Sequence, residues 1–370
     1  MANCQEEMGT MGAYEIEIER TSSPKEKPQG EALGFGRFFT DHMFLMDYDA
    51  GEGWHHPRIV PYGPIALDPA AKAFHYAQTA FEGLKAYRTD EGRILLFRPR
   101  SNLARLNRSN ERLSIPPIDE ELALRALKEL VRLDRDWVPS EPGTSLYIRP
   151  FIIATEPALG VSPSRQYRFV VILSPVGAYY AQGIRPVSIH VEPDYVRAVR
   201  GGLGAAKTGG NYASGLRAQE GAAEAGHAQV LWLDGVHRRY IEEVGSMNVF
   251  FRIGDAAVTP ALGGSILAGV TRDSAIRLLR SWDVPVEERA ISIDEIVEAH
   301  ESGGLKEAFG TGTAAVVSPI GELHWRGERR VVGGGETGEL CRRIYGSLTA
   351  IQYGRAPDPF GWTEPLDGQP

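Results

Sequence analysis

Cysteine is nearly missing from this chain: Cys4 and Cys341 are the only two in 370 residues. Two thiols are too few for a disulfide framework and are not spaced as a metal knuckle, so a reducing cytoplasm is the expected setting. Long apolar runs are missing as well. No window approaches the roughly 20 uninterrupted apolar residues of a membrane span. The start, "MANCQEEMGTMGAYEIEIER", has acids where a secretion signal needs basic residues followed by an apolar run. Nor is there a basic excess, since 40 Lys and Arg against 48 Asp and Glu leave a formal charge of −8. A general nucleic-acid binder would show a basic stripe or face, so that class is disfavoured. What is present is a 42% hydrophobic composition in a length that suits two domains better than one.

The polar stretch "TSSPKEKPQGE" (Thr21 to Glu31) predicts that order begins near Phe35 and that residues 1–34 form a mobile extension. "RILLFRP" reads as a strand closed by Pro99, and "SNLARLNRSNERL" as a helix with Ser101 as its N-cap. Apolar residues at helical spacing follow in "IDEELALRALKELVRLD", then the strand-like runs "SLYIRPFIIAT" and "YRFVVILSPV". After Val176, "GAYYAQGIRP" reads as a connection. It divides the chain into a smaller domain at 35–177, a link at 178–184 and a larger domain at 185–370. The second half alternates strand runs ("PVSIHVE", "AQVLWLD", "NVFFRI", "AAVTP") with helices ("TRDSAIRLLRSW", "SIDEIVEAHES") without a strict βαβ rhythm, which indicates a mixed α/β class. No internal repeat is visible. The tail from Pro357, with four prolines, is expected to pack poorly.

The most unusual stretch is "AKTGGNYASG" (Ala206 to Gly215), one lysine among glycines just after "RGGLG". A phosphate loop, G-x-x-x-x-G-K-[ST], would use Gly201, Lys207 and Thr208, but Ala206 stands in place of the second glycine. The glycines after the lysine also oppose the helix such a loop must open. A surface lysine in a flexible loop is the bland alternative. The third reading is a Schiff-base lysine, whose amine must be neutral to attack a carbonyl and is made so by desolvation or a nearby cation. Glycines let a flat ring approach the backbone closely. A pyridoxal phosphate ring would further require a phosphate anchor and an acid for its pyridine nitrogen.

These requirements meet in a recognisable set of motifs. "FEGLKAYR", "LFRPRSNLARL", "AKTGGNYASG", "YIEEVGSMNVFF" and "FGTGTAAVVSPI", in that order between about Phe35 and Tyr353, resemble the branched-chain amino acid aminotransferases of the fold-type IV pyridoxal phosphate enzymes. The resemblance implies that Lys207 carries the cofactor as a Schiff base and, once displaced by substrate, acts as general base and acid. It implies that Tyr212 meets the cofactor's phenolic oxygen and that Glu243 pairs with the pyridine nitrogen, keeping it protonated as an electron sink. Glu242 beside it is expected to be a solvated acid. Arg105 would grip the phosphate, a role suited to a guanidinium, together with backbone N–H groups of Val270 and Thr271 at a helix start. Thr313 would complete that site. Residues Gly310 to Ala315 fit G-x-G-x-x-A, but the strand-like "VVSPI" after them opposes a dinucleotide fingerprint.

The same resemblance implies a pocket that takes leucine, isoleucine or valine and, in the other half of a ping-pong cycle, glutamate. Phe35, Phe81, Tyr147 and Tyr179 match its aromatic walls, and Tyr76 and Arg149 match the groups that meet glutamate's side-chain carboxylate. Backbone N–H groups of Thr313 and Ala314 match the seat of the α-carboxylate. The implied fold is two domains with the cofactor between them. The implied partners are small amino acids and 2-oxo acids, with a second copy of the chain in a homodimer and neither nucleic acid nor membrane. Some animal members carry a C-x-x-C redox switch where this chain has Ala315 and Ser318. The adjacent His55 and His56 lack further ligands at metal spacing and are read as loop residues, with no metal expected. D-amino acid transaminase and aminodeoxychorismate lyase are the rivals within the fold, and a phosphate-loop nucleotide binder is the rival from another class.

Overall fold

The computed structural model describes residues 15–28, 33–177 and 184–368. Its strands form two nine-stranded sheets. The first holds β1 (Glu17–Ile18), β2 (His42–Asp49), β3 (Gly53–Pro61), β4 (Thr79–Phe81), β5 (Leu84–Arg88), β6 (Ile94–Phe97), β7 (Ser145–Ala154) and β8 (Gln166–Val176). The second holds β9 (Val187–Val191), β10 (Gln229–Leu233), β11 (Ile241–Val244), β12 (Met247–Ile253), β13 (Ala256–Pro260), β14 (Val286–Arg289), β15 (Leu305–Gly312), β16 (Val316–Trp325) and β17 (Glu328–Val331). The last strand, β18 (Thr363–Pro365), returns to the first sheet and pairs antiparallel with β6. In the second sheet β9 pairs parallel with both β10 and β16, while β15 lies between β12 and β16 and is antiparallel to each. The expected mixed α/β class is what the chain forms.

The helices are α1 (Lys72–Tyr76), α2 (Pro99–Arg112), α3 (Glu120–Leu133), α4 (Gly209–Ala213), α5 (Leu216–Glu224), α6 (Val270–Ser281), α7 (Ile293–Glu301) and α8 (Glu339–Gln352). Helix α3 buries the leucine and alanine stripe that its sequence spacing announces, and Asp119 caps it by accepting from the N–H groups of Glu121 and Leu122. Helix α2 starts earlier than Ser101. Pro99 takes the first helical position, where its missing N–H costs nothing, and Arg98 in left-handed conformation is the residue before it. Among the described residues, no helix is long and apolar enough to cross a membrane.

Two expectations about the chain ends are corrected for the described residues, residues 1–14 and 29–32 lying outside them. Within the first 34 residues, β1 lies parallel to β3, and the backbone N–H of Lys25 donates to Asp41 Oδ1 at 2.8 Å. The tail is packed as well, because it carries apolar residues that the proline count masks. Trp362 is 4% and Leu366 1% exposed, and the Arg98 N–H donates to the Trp362 carbonyl at 2.7 Å. Trp362 joins Tyr87 and Phe97 of the first sheet to Phe250, Phe309 and Ile344 in one apolar cluster, so the sheets share a core. The link expected at 178–184 lies outside the described residues except for Ile184. His55 and His56 belong to β3 rather than to a loop and face carboxylates of Asp49, Glu52 and Glu17 at 3.4–3.8 Å.

Candidate active site

Lys207, reached by the chain after β9 of the second sheet, is tied to the first half of the molecule. Its carbonyl accepts from the Phe81 N–H of β4 at 3.0 Å, and its own N–H donates to Ser109 Oγ of α2 at 2.9 Å. The loop before it must pass very close to a neighbour, since a Cβ on Gly204 would lie 2.0 Å from the Ser265 carbonyl oxygen. Short helix α4 then brings Tyr212 around one turn, so that Lys207 Nζ donates to the Tyr212 hydroxyl at 2.5 Å. The lysine is therefore neither a free surface residue nor placed within a helix to cradle phosphates. Burial, aided by the Arg105 cation, pushes its amine down to about 8, so the neutral fraction near physiological pH is far larger than that of an ordinary lysine. Burial and the Glu243 charge push the Tyr212 hydroxyl up to about 12, which keeps its proton in place.

Around this amine lies a cleft of about 180 Å³ lined by Phe35, Phe81, Tyr147, Arg149, Lys207, Tyr212, Thr313 and Ala314 among others. The aromatic walls interlock edge to face, Phe35 on Tyr147 at 5.0 Å and Phe81 on Tyr212 at 4.9 Å. Arg149 lies over the Phe81 ring at 4.9 Å and donates to the Tyr147 hydroxyl at 3.1 Å. Its Nε has no hydrogen-bond partner, and among the described residues it forms no ion pair. Such a guanidinium is a seat for an anion.

Glu243, on β11, is 4% exposed and lines a second, narrow pocket that Tyr212 and Ser246 share with the first. Burial raises its carboxyl, but Arg197 at 3.5 Å and the Leu267 N–H at 2.8 Å favour the ionised form. Glu242 is not the solvated acid that was expected. It is 6% exposed, accepts from the Ser265 hydroxyl and faces Arg197 at 3.7 Å. Arg197 thus stands between two buried carboxylates, a residue that the sequence pattern did not single out and that no local signal marks.

The phosphate end is less open. Arg105 is 4% exposed, with Nε and Nη2 on the Glu82 carboxylate at 2.7 and 2.8 Å and Nη1 on the Ala268 carbonyl at 3.0 Å. Ala268 leads directly into α6, whose first residues are Val270 and Thr271 and whose first turn has no side-chain cap. Those unsatisfied N–H groups and the arginine together form a cationic corner. The donor set fits pyridoxal phosphate: a neutralisable amine, a hydroxyl beside it, a buried carboxylate at one end and a helix N-terminus with a guanidinium at the other. One expected residue is not gathered here. Tyr76 is 40% exposed and donates from its hydroxyl to the Leu159 carbonyl, away from the cleft, and Tyr179 lies outside the described residues.

Two sheets sharing a core, with this lysine in the cleft between them, define a fold-type IV pyridoxal-phosphate aminotransferase. Residues 79–323 match the family model described as amino-transferase class IV. A branched-chain-amino-acid transaminase 1 of Bacillus subtilis is 61% identical over 349 residues, 94% of this chain and 98% of that protein. One from Mycolicibacterium smegmatis is 46% identical over 96% of this chain and 99% of its own length. Among solved structures, the Escherichia coli branched-chain amino acid aminotransferase superposes with a TM-score of 0.71 at 26% identity, covering 89% of this chain and 99% of its own. The Thermobaculum terrenum enzyme, solved in its PLP-form, shares the fold with a TM-score of 0.71 at 22% identity, covering 88% of this chain and 98% of its own. The chain belongs to the branched-chain-amino-acid aminotransferases, enzymes dependent on pyridoxal phosphate.

Proposed function

We propose that the cleft transfers the amino group of L-leucine, L-isoleucine or L-valine to 2-oxoglutarate, reversibly, giving the branched 2-oxo acid and L-glutamate. The carrying observation is that Arg149, free of any carboxylate, lines the same aromatic cleft as Lys207. An apolar side chain can pack on Phe35, Phe81 and Tyr147, while the side-chain carboxylate of glutamate, which an apolar wall would exclude, pairs with Arg149. Glu243 would hold the cofactor's ring nitrogen, Tyr212 its phenolic oxygen, and Arg105 with the N–H groups of Val270 and Thr271 its phosphate, with Thr313 beside them. Pyridoxal phosphate, when bound, supplies the electron sink that makes the substrate's α-proton acidic. Lys207 Nζ takes that proton from the α-carbon, and the depressed basicity that burial gives it suits a base working near neutral pH. Tyr147 and Phe35 exclude water from the reacting carbon. The N–H groups of Thr313 and Ala314 receive the α-carboxylate.

The reading extends to a homodimer in the cytoplasm, with domains at 35–177 and 185–370 joined by 178–184. Phe74, Tyr76, Leu159 and Val161 support the dimer: they are 40–86% exposed and are grouped by the Tyr76 to Leu159 bond. A partner copy covering that face would bring Tyr76 to the edge of an active site. The deciding experiment follows the visible absorbance of the holoenzyme on adding L-leucine alone and then 2-oxoglutarate. Bleaching followed by recovery is expected. Colour that ignores leucine would retain the fold and discard the substrate.

A further inference from the structure

Lys85 is the second residue of β5, between Leu84 and Ala86 and opposite Tyr147 of β7, and is 7% exposed. A buried ammonium is costly without a counter-ion. Among the described residues it forms no ion pair, and its one hydrogen bond goes from Nζ to the Ala314 carbonyl at 2.8 Å, across 229 positions of sequence. Burial alone pushes the amine down to about 8.

The acceptor belongs to the tight connection between β15 and β16. Gly312 pairs with Val316 across Thr313, Ala314 and Ala315. Val316 has φ 62°, a left-handed conformation that a β-branched residue adopts only when its surroundings impose it. Two bonds tie this turn to the first sheet, and both reach one short segment of it: Thr313 Oγ1 donates to the Gly83 carbonyl at 3.3 Å, and Lys85 donates to Ala314. Ala314 and Ala315 line the substrate cleft on one side and a larger cleft of about 340 Å³ containing Lys85 on the other. The turn is a thin wall with a cation behind it.

We propose that Lys85 is a positioning residue for the substrate α-carboxylate, fixing the Ala314 carbonyl on the far side of the turn and placing a positive charge behind its N–H groups. This rests on the reading that Thr313 and Ala314 receive that carboxylate. Every substrate of the cycle, amino acid or 2-oxo acid, carries this group, so Lys85 acts on both half-reactions alike, unlike Arg149, which serves only the dicarboxylic partner.

The test compares wild-type, Lys85→Met and Lys85→Arg holoenzymes for cofactor absorbance, kcat and KM, and for inhibition by 4-methylvalerate, a carboxylate without an amine. In Lys85→Met, KM for L-leucine and 2-oxoglutarate and Ki for 4-methylvalerate rise together by roughly tenfold or more, as loss of a charge-assisted hydrogen bond requires. Absorbance and kcat change little, and Lys85→Arg recovers most of the loss. Unchanged KM and Ki in a coloured Lys85→Met enzyme, or a fall in kcat alone, overturns the role and leaves a merely structural lysine. Should Lys85→Met not fold, Lys85→Leu removes both the donor and the charge in a shorter side chain, and an unchanged Ki there overturns the role equally. A wild-type enzyme that ignores leucine would instead sink the substrate reading.

Discussion

Lys207 and Glu243 are both ionisable and buried, and in each the dominant force is desolvation, yet their neighbours push in opposite senses. Burial and the Arg105 cation both disfavour the lysine ammonium, whereas Arg197 offsets burial at Glu243. Burial thus favours the neutral amine that a Schiff base needs, whereas at Glu243 it raises the carboxyl and Arg197 counters only part of that rise. A depressed folded pKa means that the neutral, nucleophilic form grows in as pH rises through about 8. Capture of pyridoxal phosphate by cofactor-free protein, followed by absorbance, should therefore accelerate up to about pH 8 and then level off. A rate still climbing past pH ~10, where an ordinary lysine titrates, would contradict the burial argument. Lys207→Ala should abolish transamination altogether; a variant with normal turnover would remove the residue from the mechanism.

The segment around Gly83, between β4 and β5, shows how elements set the cleft. A Cβ at Gly83 would lie 1.9 Å from the Tyr147 hydroxyl, so the tyrosine can close over the backbone only where no side chain stands. Gly83 also accepts from Thr313, and its neighbour Glu82 binds Arg105. Gly83→Ala should displace Tyr147, raise KM for leucine and lower stability by about 1–3 kcal/mol, the usual penalty of overpacking. Steady-state kinetics and urea unfolding measure both, and an unchanged KM would mean that Tyr147 is no wall of the pocket. The motif "FEGLKAYR" was legible as a signature, but its interior division of labour was not. Glu82, Gly83 and Lys85 each act on a residue more than 20 positions away, and no periodicity encodes such partners.

The molecule as a whole is closed by its tail. Strand β18 pairs with β6, Leu366 enters the first core, and Trp362 stacks with Phe360 at 4.2 Å in the cluster shared by both sheets. Trp362→Ala should therefore cost about 3–5 kcal/mol, like other large-to-small core changes, read from the urea midpoint. An effect within about 0.5 kcal/mol would be that of a surface residue and would return the tail to the status of an extension. The tail looked disposable because prolines break local structure, but β18 is an edge strand, where proline is tolerated. The sequence alone determined the mixed α/β class, the family and the Lys207 to Tyr212 spacing, since these rest on composition, short periods and contiguous motifs. Tertiary structure decided that Arg197 faces Glu243, that Glu82 holds Arg105, that Lys85 bonds the Ala314 carbonyl and that the tail completes the first sheet. Each joins residues far apart in the chain, and such contacts exist only once the core brings the two sheets together.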